Sequence, residues 1–160
     1  MSVIVWDGTT LAADSHANNG ELTFPYPKLW VIAPSALNSK SSKGEQQSDE
    51  HKPVLIAGAV GPLQAVAELQ QWTLDGLVPS QFPQVVGKNF TLLLCSKEKG
   101  VVRYRDSSTP YLHGLNKLAI GEGAPFAYGA LFMGATAEQA VLAAIDGSPH
   151  CNGQVISLKL

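Results

Sequence analysis

The feature that most constrains the fold is a β-hairpin that the sequence predicts at the start of the chain, in residues 2–15. Residues 3–5 are β-branched and apolar, which is typical of a strand. The pair Asp7-Gly8 predicts a type I′ turn, because both central positions of that turn need positive φ. A short apolar strand follows the turn and ends on Asp14. We therefore expect the amino terminus to lie within the fold.

Ser2 gains a chemical role if the initiator methionine is removed, which a small second residue permits. Its hydroxyl and a free α-amine would then belong to the same residue. A serine hydroxyl is a weak nucleophile unless a base takes its proton. An α-amine titrates at about 7.7–8.0, so it can serve as that base near neutral pH. From this residue alone, a serine without any chemical role is the simpler interpretation.

The composition excludes several classes of protein. The 160 residues are 45% hydrophobic and 15% charged, which favours one globular domain over residues 1–160. A net charge of −2 argues against nucleic acid and anionic membranes as partners. The apolar runs are too short to span a bilayer, no secretory signal is visible, and two cysteines do not make a disulfide framework. We expect a cytoplasmic protein.

Strand and helix patterns continue along the rest of the chain and indicate an α+β fold. Residues 15–27 are predicted to be a connection whose prolines exclude a central strand. Residues 34–52 are predicted to be a flexible polar loop. The other predicted strands are 28–33, 53–58, 90–95, 101–105, 117–121 and 155–158. Three helices are predicted: one from Gly61-Pro62 to Asp75-Gly76, one over 124–133, and one that begins at a Thr136–Gln139 capping box and has Gly147 as its C′ residue.

Five stretches of the sequence carry a resemblance to a known family. They are Ala12-Ala-Asp14-Ser at the end of the hairpin, Lys28-Leu29, Leu55-Ile-Ala-Gly58-Ala-Val-Gly61, Ala119-Ile-Gly-Glu-Gly-Ala-Pro-Phe-Ala127 and Cys151-Asn-Gly-Gln-Val-Ile-Ser-Leu158. In this order and spacing they resemble the proteasome β-subunit and HslV family of N-terminal-nucleophile (Ntn) hydrolases. The chain is most similar to the shorter phage- and bacteria-encoded members of that family.

The resemblance implies a four-layer α-β-β-α sandwich, which is the Ntn-hydrolase fold. It also implies a homo-oligomeric ring of identical chains, peptide or protein substrates, and a separate ATP-driven unfoldase that supplies them. It implies no cofactor. The histidines at 16, 51, 113 and 150 lack metal-ligand spacing, and no phosphate-binding glycine loop is present in the sequence.

The resemblance also assigns catalytic roles. Ser2 falls where the family has its N-terminal threonine and would be the nucleophile. Asp14 and Lys28 match the acid and the lysine of the family. An ammonium near the Ser2 hydroxyl would lower the pKa of that hydroxyl, and the carboxylate would hold the ammonium in place. Gly58 matches the glycine whose backbone N–H binds the oxyanion. We expect Lys28→Ala to abolish activity at little cost in stability.

Several positions depart from the family pattern. Glu122 replaces a serine, and there it would hold the terminal amine as an ammonium or act as the base itself. Ser148 replaces an aspartate and Cys151 replaces a serine. His16 falls where the family often has an arginine, and it would line the pocket. A nucleophilic pair of Cys151 with His150 is a weak hypothesis, because neighbours on a strand face opposite sides.

The leading functional hypothesis is a peptidase that cleaves amide bonds with Ser2 as its nucleophile. Two alternatives remain open. One is a catalytically weak or inactive structural subunit of a phage or bacterial particle, which the departures at Glu122 and Ser148 motivate. The other is a small-molecule amidase that uses the same site.

Overall fold

The structure is a computed structural model, and it describes residues 2–18, 20–33, 55–84, 89–112 and 116–160. Within these ranges the strands are β1 (Val3–Trp6), β2 (Thr10–Asp14), β3 (His16–Asn18), β4 (Thr23–Pro25), β5 (Leu29–Ile32), β6 (Leu55–Val60), β7 (Thr91–Ser96), β8 (Gly100–Tyr104), β9 (Tyr111–Leu112), β10 (Leu118–Gly121) and β11 (Val155–Lys159). The helices are α1 (Leu63–Leu74), α2 (Ala124–Phe132) and α3 (Ala137–Gly147). These elements confirm the predicted α+β class.

The described strands form two larger antiparallel sheets and one small hairpin. The first sheet has the order β10-β1-β2-β11, so the amino-terminal hairpin lies at its centre. The second sheet has the order β5-β6-β7-β8-β9, and β3 pairs with β4 in the small hairpin. In the first sheet Asp14 lies opposite Val155. This register places the end of β2 beside the start of β11.

The turn of the amino-terminal hairpin differs from the predicted type I′ turn. Gly8 and Thr9 are its central residues, since Asp7 N already donates to Thr10 O at 3.2 Å. Gly8 has a φ of 106°, and Thr9 has no positive φ. The Asp7 carboxylate accepts the N–H groups of Thr9 and Thr10 at 3.0 and 2.9 Å. Only the first central position has a positive φ, which is the pattern of a type II′ turn, and the Asp7 side chain adds hydrogen bonds that close the turn.

Three groups of buried side chains hold the sheets and helices together. One group lies between the two sheets, a second lies between the first sheet and helices α2 and α3, and a third lies between the second sheet and α1. Representative members are Ile4 and Leu93 in the first group, Val5 and Val141 in the second, and Leu69 and Leu92 in the third. Successive residues of β1 therefore face different groups, and the whole strand is buried.

Two predicted features are wrong in detail. Residues 15–27, predicted as a connection, contain the β3–β4 hairpin; the exclusion of a central strand agrees with the structure, because Pro25 ends a strand of a two-stranded sheet. Gly147 is the last residue of α3 and not a C′ residue, and its φ is not positive. The ring of Phe126 occupies the space that a Cβ would take at Gly147, so close packing accounts for this glycine.

The three predicted helices are present. Pro62 is the N-cap residue of α1, and the capping box of α3 is formed by Thr136 and Gln139. The short strand β9 was not predicted. The predicted flexible loop over 34–52 lies outside the described residues. In the part of the chain that the structure describes, the helices are too short or too polar to cross a membrane.

Asp7 also joins the hairpin turn to helix α3. Its Oδ2 accepts the N–H of Ala137, the first residue of that helix, at 2.9 Å. Burial alone would raise the pKa of Asp7, but the hydrogen bonds from Ala137, Thr10 and Thr9 outweigh it and hold the pKa below its ordinary value. The ionised side chain therefore favours the folded state.

We predict that Asp7→Ala lowers the free energy of unfolding by about 1–2 kcal/mol at neutral pH, because a helix terminus and a turn lose one shared acceptor. A carboxyl whose pKa is depressed by folding contributes stability that is lost as the pH falls through the folded pKa. The difference between wild type and variant should therefore shrink below about pH 4. Urea unfolding at several pH values measures it. Asp75→Ala, at an exposed residue that pairs with the Gln71 side chain, is the control; an equal loss there would contradict the prediction.

Candidate active site

A buried carboxylate lies at the centre of the candidate site. Asp14, the last residue of β2, is 0% exposed. Its Oδ1 accepts hydrogen bonds from Lys28 Nζ at 2.6 Å and from Val3 N at 2.9 Å. Its Oδ2 accepts the N–H of Asn152 at 3.2 Å. Asp14 therefore brings together the start of β1, the residue before β5 and the loop before β11, and these donors offset the cost of burying its charge.

Lys28 is the ionic partner of Asp14. It lies directly before β5 and is 3% exposed. Its carbonyl accepts the N–H of Ala59 at 3.2 Å, which holds this part of the backbone against β6. Burial lowers the pKa of Lys28 below its ordinary value, and the attraction of Asp14 opposes that shift. The Lys28 ammonium is therefore held in one place and gives up its proton more readily than an exposed lysine does.

Ser2 lies directly before β1 and lines the same cavity as Lys28. The Ser2 carbonyl accepts the N–H of Gly123 at 3.3 Å. Gly121 has a φ of 94°, and a Cβ at this position would overlap the carbonyl of Ser2. Only glycine allows both the backbone conformation and the close approach. The segment around Glu122 is thereby held beside Ser2.

A cavity of about 480 Å³ opens beside Ser2 and Lys28. Its volume falls within the range of pockets that bind small ligands. The lining includes side chains from the segment before β5, the end of β6, the first turn of α1, the start of β7 and the turn after β10. Among them are Tyr26, Val60, Leu63, Phe90 and Glu122. A substrate in this cavity would reach Ser2.

Gly58, predicted to bind the oxyanion, is not among the residues that line the cavity. Ala59 donates to the carbonyl of Lys28, so Leu29 and Gly58 form a non-hydrogen-bonded pair. The Gly58 N–H is then directed at Leu93 on β7, within the sheet. It cannot donate to a ligand in the cavity.

Gly61, three residues further along, does line the cavity. Its φ is 143°, and a Cβ at this position would lie 2.8 Å from the Cβ of Phe90. Val60, the last residue of β6, pairs with Thr91 on β7, so a Gly61 N–H that continues the alternation of the strand would point to the same edge as that of Ala59. That is the edge where Lys28 lies. Gly61 is therefore a candidate to offer a backbone N–H to a ligand here.

The side chain of Glu122, which lines the cavity, contacts the side chain of His150. Glu122 Oε2 lies 3.6 Å from His150 Nδ1, and the side chains are 52% and 50% exposed. Cys151 is buried below them, and burial together with the charge of Asp14 raises the pKa of its thiol, against a hydrogen bond with Ser148. The contact with Glu122 and the raised thiol pKa do not support a nucleophilic pair of Cys151 with His150.

The loop over residues 152–154 was missed in the sequence analysis as part of the site. Asn152 supplies a backbone donor to Asp14, and Gly153 has a φ of 90°. The ring of His16 occupies the space that a Cβ would take at Gly153, so His16 packs on this loop and lines a small neighbouring cleft. The sequence pair Asn-Gly was the visible signal of the turn. Among the described residues, no group of three or more His, Cys, Asp or Glu side chains could hold a metal ion.

The fold is similar to those of solved proteasome-like proteins. BPH from Thiobacillus denitrificans, in complex with epoxomicin, has a TM-score of 0.67 and 14% identity, over 100% of this chain and 98% of that chain. Anbu (ancestral beta-subunit) from Yersinia bercovieri has a TM-score of 0.62 and 16% identity, over 99% and 81%. Eukaryotic HslV from Trypanosoma brucei has a TM-score of 0.55 and 16% identity, over 99% and 99%.

These similarities confirm the predicted resemblance to the proteasome β-subunit and HslV family at the level of the fold. The chain shares its fold with these solved proteins. Neither a protein-family model nor a curated protein sequence matches it.

The burial of Asp14 and Lys28 predicts a larger cost for Lys28→Ala than the sequence suggested. The variant leaves a buried carboxylate with backbone donors alone, so we expect the free energy of unfolding to fall by about 3–5 kcal/mol. The double variant Asp14→Asn with Lys28→Met should lose less than the sum of its single changes, because no charge remains buried. Urea unfolding of wild type, Asp14→Asn, Lys28→Met and the double variant measures this coupling, and unfolding of Lys28→Ala measures the cost of the unpaired carboxylate.

Lys97→Ala, which removes an exposed lysine in the β7–β8 turn, is the control for loss of a positive charge. We expect it to change stability by less than about 0.5 kcal/mol. Strictly additive losses from Asp14→Asn and Lys28→Met would show that the two side chains do not depend on each other.

Proposed function

We propose that this chain is a proteasome-like peptidase that cleaves peptide amide bonds with Ser2 as its nucleophile, once Met1 has been removed. One observation carries the proposal. Ser2 and Lys28 line one cavity, and Asp14 binds both Lys28 and the backbone N–H of the residue after Ser2. Nucleophile, cation and supporting carboxylate are thus brought together from three separate places in the sequence. The fold shared with HslV supports the same function.

We further infer a four-layer α-β-β-α arrangement in a single domain. The three buried groups support this inference, since one packs sheet on sheet and each of the other two packs helices on the outer face of a sheet. In that arrangement β1 and β2 belong to an inner layer. Ser2 and Asp14, at the ends of these strands, are then supported by packing on both faces of the sheet.

In the proposed reaction, Ser2 Oγ attacks the carbonyl carbon of the peptide bond while the α-amine of Ser2 takes the hydroxyl proton. The Lys28 ammonium, held by Asp14 at 2.6 Å, stabilises the negative charge that develops. The Gly61 N–H binds the oxyanion. The C–N bond then breaks, the α-ammonium gives its proton to the leaving amine, and an ester on Ser2 remains. Water hydrolyses this ester with the α-amine again acting as the base.

Glu122 affects the base in this proposal. Glu122 lines the cavity, and its two neighbours in the chain, Gly121 and Gly123, both contact the Ser2 backbone. A carboxylate near an amine favours the ammonium form and raises the pKa of the amine, so more of the base is protonated at neutral pH. Glu122 would therefore slow the reaction at low pH, unless it takes the proton from the hydroxyl itself.

We predict that Ser2→Ala reduces peptide hydrolysis by at least about 10³-fold, because the nucleophile is lost, while the thermal midpoint stays close to that of wild type. Fluorogenic peptides measure turnover, and an intact mass confirms that Met1 is absent. Ser107→Ala, on an exposed loop, is the matched control and should keep full activity.

A β-lactone probe that acylates the nucleophile gives an independent result. An adduct on Ser2 supports the proposal, and an adduct on Ser2 with no peptide cleavage favours the amidase alternative. Undiminished hydrolysis by Ser2→Ala would exclude Ser2 as the nucleophile. Removal of Met1 without any adduct would favour the structural alternative.

We predict that Glu122→Ser shifts the acidic limb of the pH–rate profile to lower pH, because the amine loses a neighbouring negative charge and its pKa falls. The measurement is kcat/KM across pH with a capped peptide. Glu138→Ser, on α3 and away from the cavity, is the control. Loss of activity at every pH in the Glu122 variant would instead identify Glu122 as the base.

A surface feature supports assembly of identical chains, which both the peptidase and the second candidate function, a structural subunit, would use. Large apolar side chains of α2, α3 and the residue after α2 are exposed: Phe126 at 45%, Phe132 at 86%, Met133 at 89% and Leu142 at 50%. Exposed apolar patches mark association surfaces, and Anbu from Pseudomonas aeruginosa forms a helical assembly. We propose that identical chains assemble, whether or not Ser2 reacts. A monomer in sedimentation at micromolar concentration would contradict this.

A further inference from the structure

The loop before β11 contains the pair Asn152-Gly153, and the structure places the side-chain amide of the first residue against the backbone nitrogen of the second. The Gly153 nitrogen lies 2.7 Å from Asn152 Oδ1. Because Oδ1 is bonded to Cγ, the amide carbon is also within contact distance of that nitrogen. Asn152 is exposed, so a group released from its side chain passes directly into solvent. A nucleophile held this close to a carbonyl reacts faster than one that rotates freely.

Contacts on both sides hold the loop in this conformation. After the pair, Gln154 N donates to Ser15 Oγ at 2.8 Å. Beside it, the ring of His16 fills the space that a Cβ would take at Gly153. Gly153 itself has a φ of 90°, which glycine adopts without strain, and it has no side chain to shield its nitrogen. The attacking nitrogen is therefore fixed in position, while the Asn152 amide remains at the surface.

We propose that Asn152 is a site of self-modification, at which the side-chain amide is converted to a carboxylate through a cyclic imide. The Gly153 nitrogen attacks Asn152 Cγ and an N–Cγ bond forms. The Cγ–Nδ2 bond breaks, and Nδ2 leaves as ammonia with the proton that the Gly153 nitrogen has lost. The five-membered ring then contains that nitrogen, Cγ, Cβ, Cα and the backbone carbonyl carbon of Asn152.

Water opens the imide in one of two ways. Breaking the N–Cγ bond leaves aspartate at position 152 with an ordinary backbone. Breaking the bond between the nitrogen and the backbone carbonyl carbon leaves isoaspartate, in which the chain continues through Cγ and the backbone carboxylate is free. Neither step uses a residue of the proposed peptidase mechanism, so the modification does not depend on that function.

Both products change the surroundings of Asp14. The N–H of Asn152 donates to Asp14 Oδ2 at 3.2 Å, and either product adds a negative charge to the residue that carries this N–H. The two carboxylates repel each other. In isoaspartate the backbone from this N–H to Val155 is also one atom longer, although Val155 lies opposite Asp14 in the sheet. The modified protein should therefore unfold at a lower temperature.

Peptide mapping measures the modification directly. Trypsin releases residues 118–159 as one peptide, in which Asn152 is the only asparagine, and it separates this peptide from the other Asn-Gly pair, Asn19-Gly20. The folded protein and a synthetic peptide of residues 147–157 are incubated together at mildly alkaline pH. The mass of each peptide follows the loss of the amide, and fragmentation distinguishes aspartate from isoaspartate. We expect the ratio of the rate in the folded protein to the rate in the peptide to be at least about 1. A slower reaction in the folded protein would overturn the proposal.

Two variants identify the reacting residue. Asn152→Gln keeps an amide and the backbone N–H but would need a six-membered ring, so the conversion should be lost. Asn116→Gln makes the same change at another exposed asparagine and should leave the rate at Asn152 unchanged. An equal loss in both variants, or conversion of the 118–159 peptide that persists in Asn152→Gln, would also overturn the proposal.

The effect on the fold has its own measurement. Protein that has been incubated until residue 152 is converted should show a lower thermal midpoint than fresh protein. Asn152→Gln, incubated for the same time, should keep the midpoint that it has when fresh. An equal shift in wild type and in Asn152→Gln would refute the predicted effect of the modification on Asp14.

Discussion

The buried contact between Asp14 and Lys28 is the interaction on which the candidate site depends. A carboxylate that is 0% exposed is tolerated only when donors surround it, and Lys28, Val3 and Asn152 provide them. Each donor comes from a different part of the chain, so the fold must bring these parts together before the charge can be buried. The same contact fixes the Lys28 ammonium at the cavity that Ser2 lines. Stability and the proposed chemistry therefore depend on one group of atoms.

The sequence predicts the parts of this site that lie at the ends of well-marked strands. Asp14 follows an apolar run and Lys28 precedes one, and in the structure these residues are in contact. The α+β class and the capping box at Thr136 follow from patterns that depend on local chemistry alone. Such patterns are visible because a few neighbouring residues determine them.

Features that depend on how strands are paired could not be predicted in the same way. Gly58 and Gly61 belong to one short motif. Only the pairing of β6 with β5 and β7 decides that Gly58 lies within the sheet and that Gly61 lies at the cavity. The contact of Asn152 with Asp14 likewise depends on the register of β11 on β2. The hairpin turn is centred one residue later than predicted, and the Asp7 side chain that closes it also binds helix α3, which lies far away in the sequence.

Two of the three groups that bind Asp14 are backbone N–H groups, and this has a consequence for how the protein can change over evolution. The N–H of Val3 or of Asn152 survives any substitution except proline, so these two hydrogen bonds do not depend on the side chains, although the core still constrains the buried side chain of Val3. The number of residues in the hairpin between Val3 and Asp14, by contrast, is constrained. Inserting or deleting a single residue in the Gly8–Thr9 turn would slip β2 along β1 and turn the Asp14 side chain to the opposite face. In distant descendants of this chain, the length of the first hairpin should therefore be retained even where its residues change.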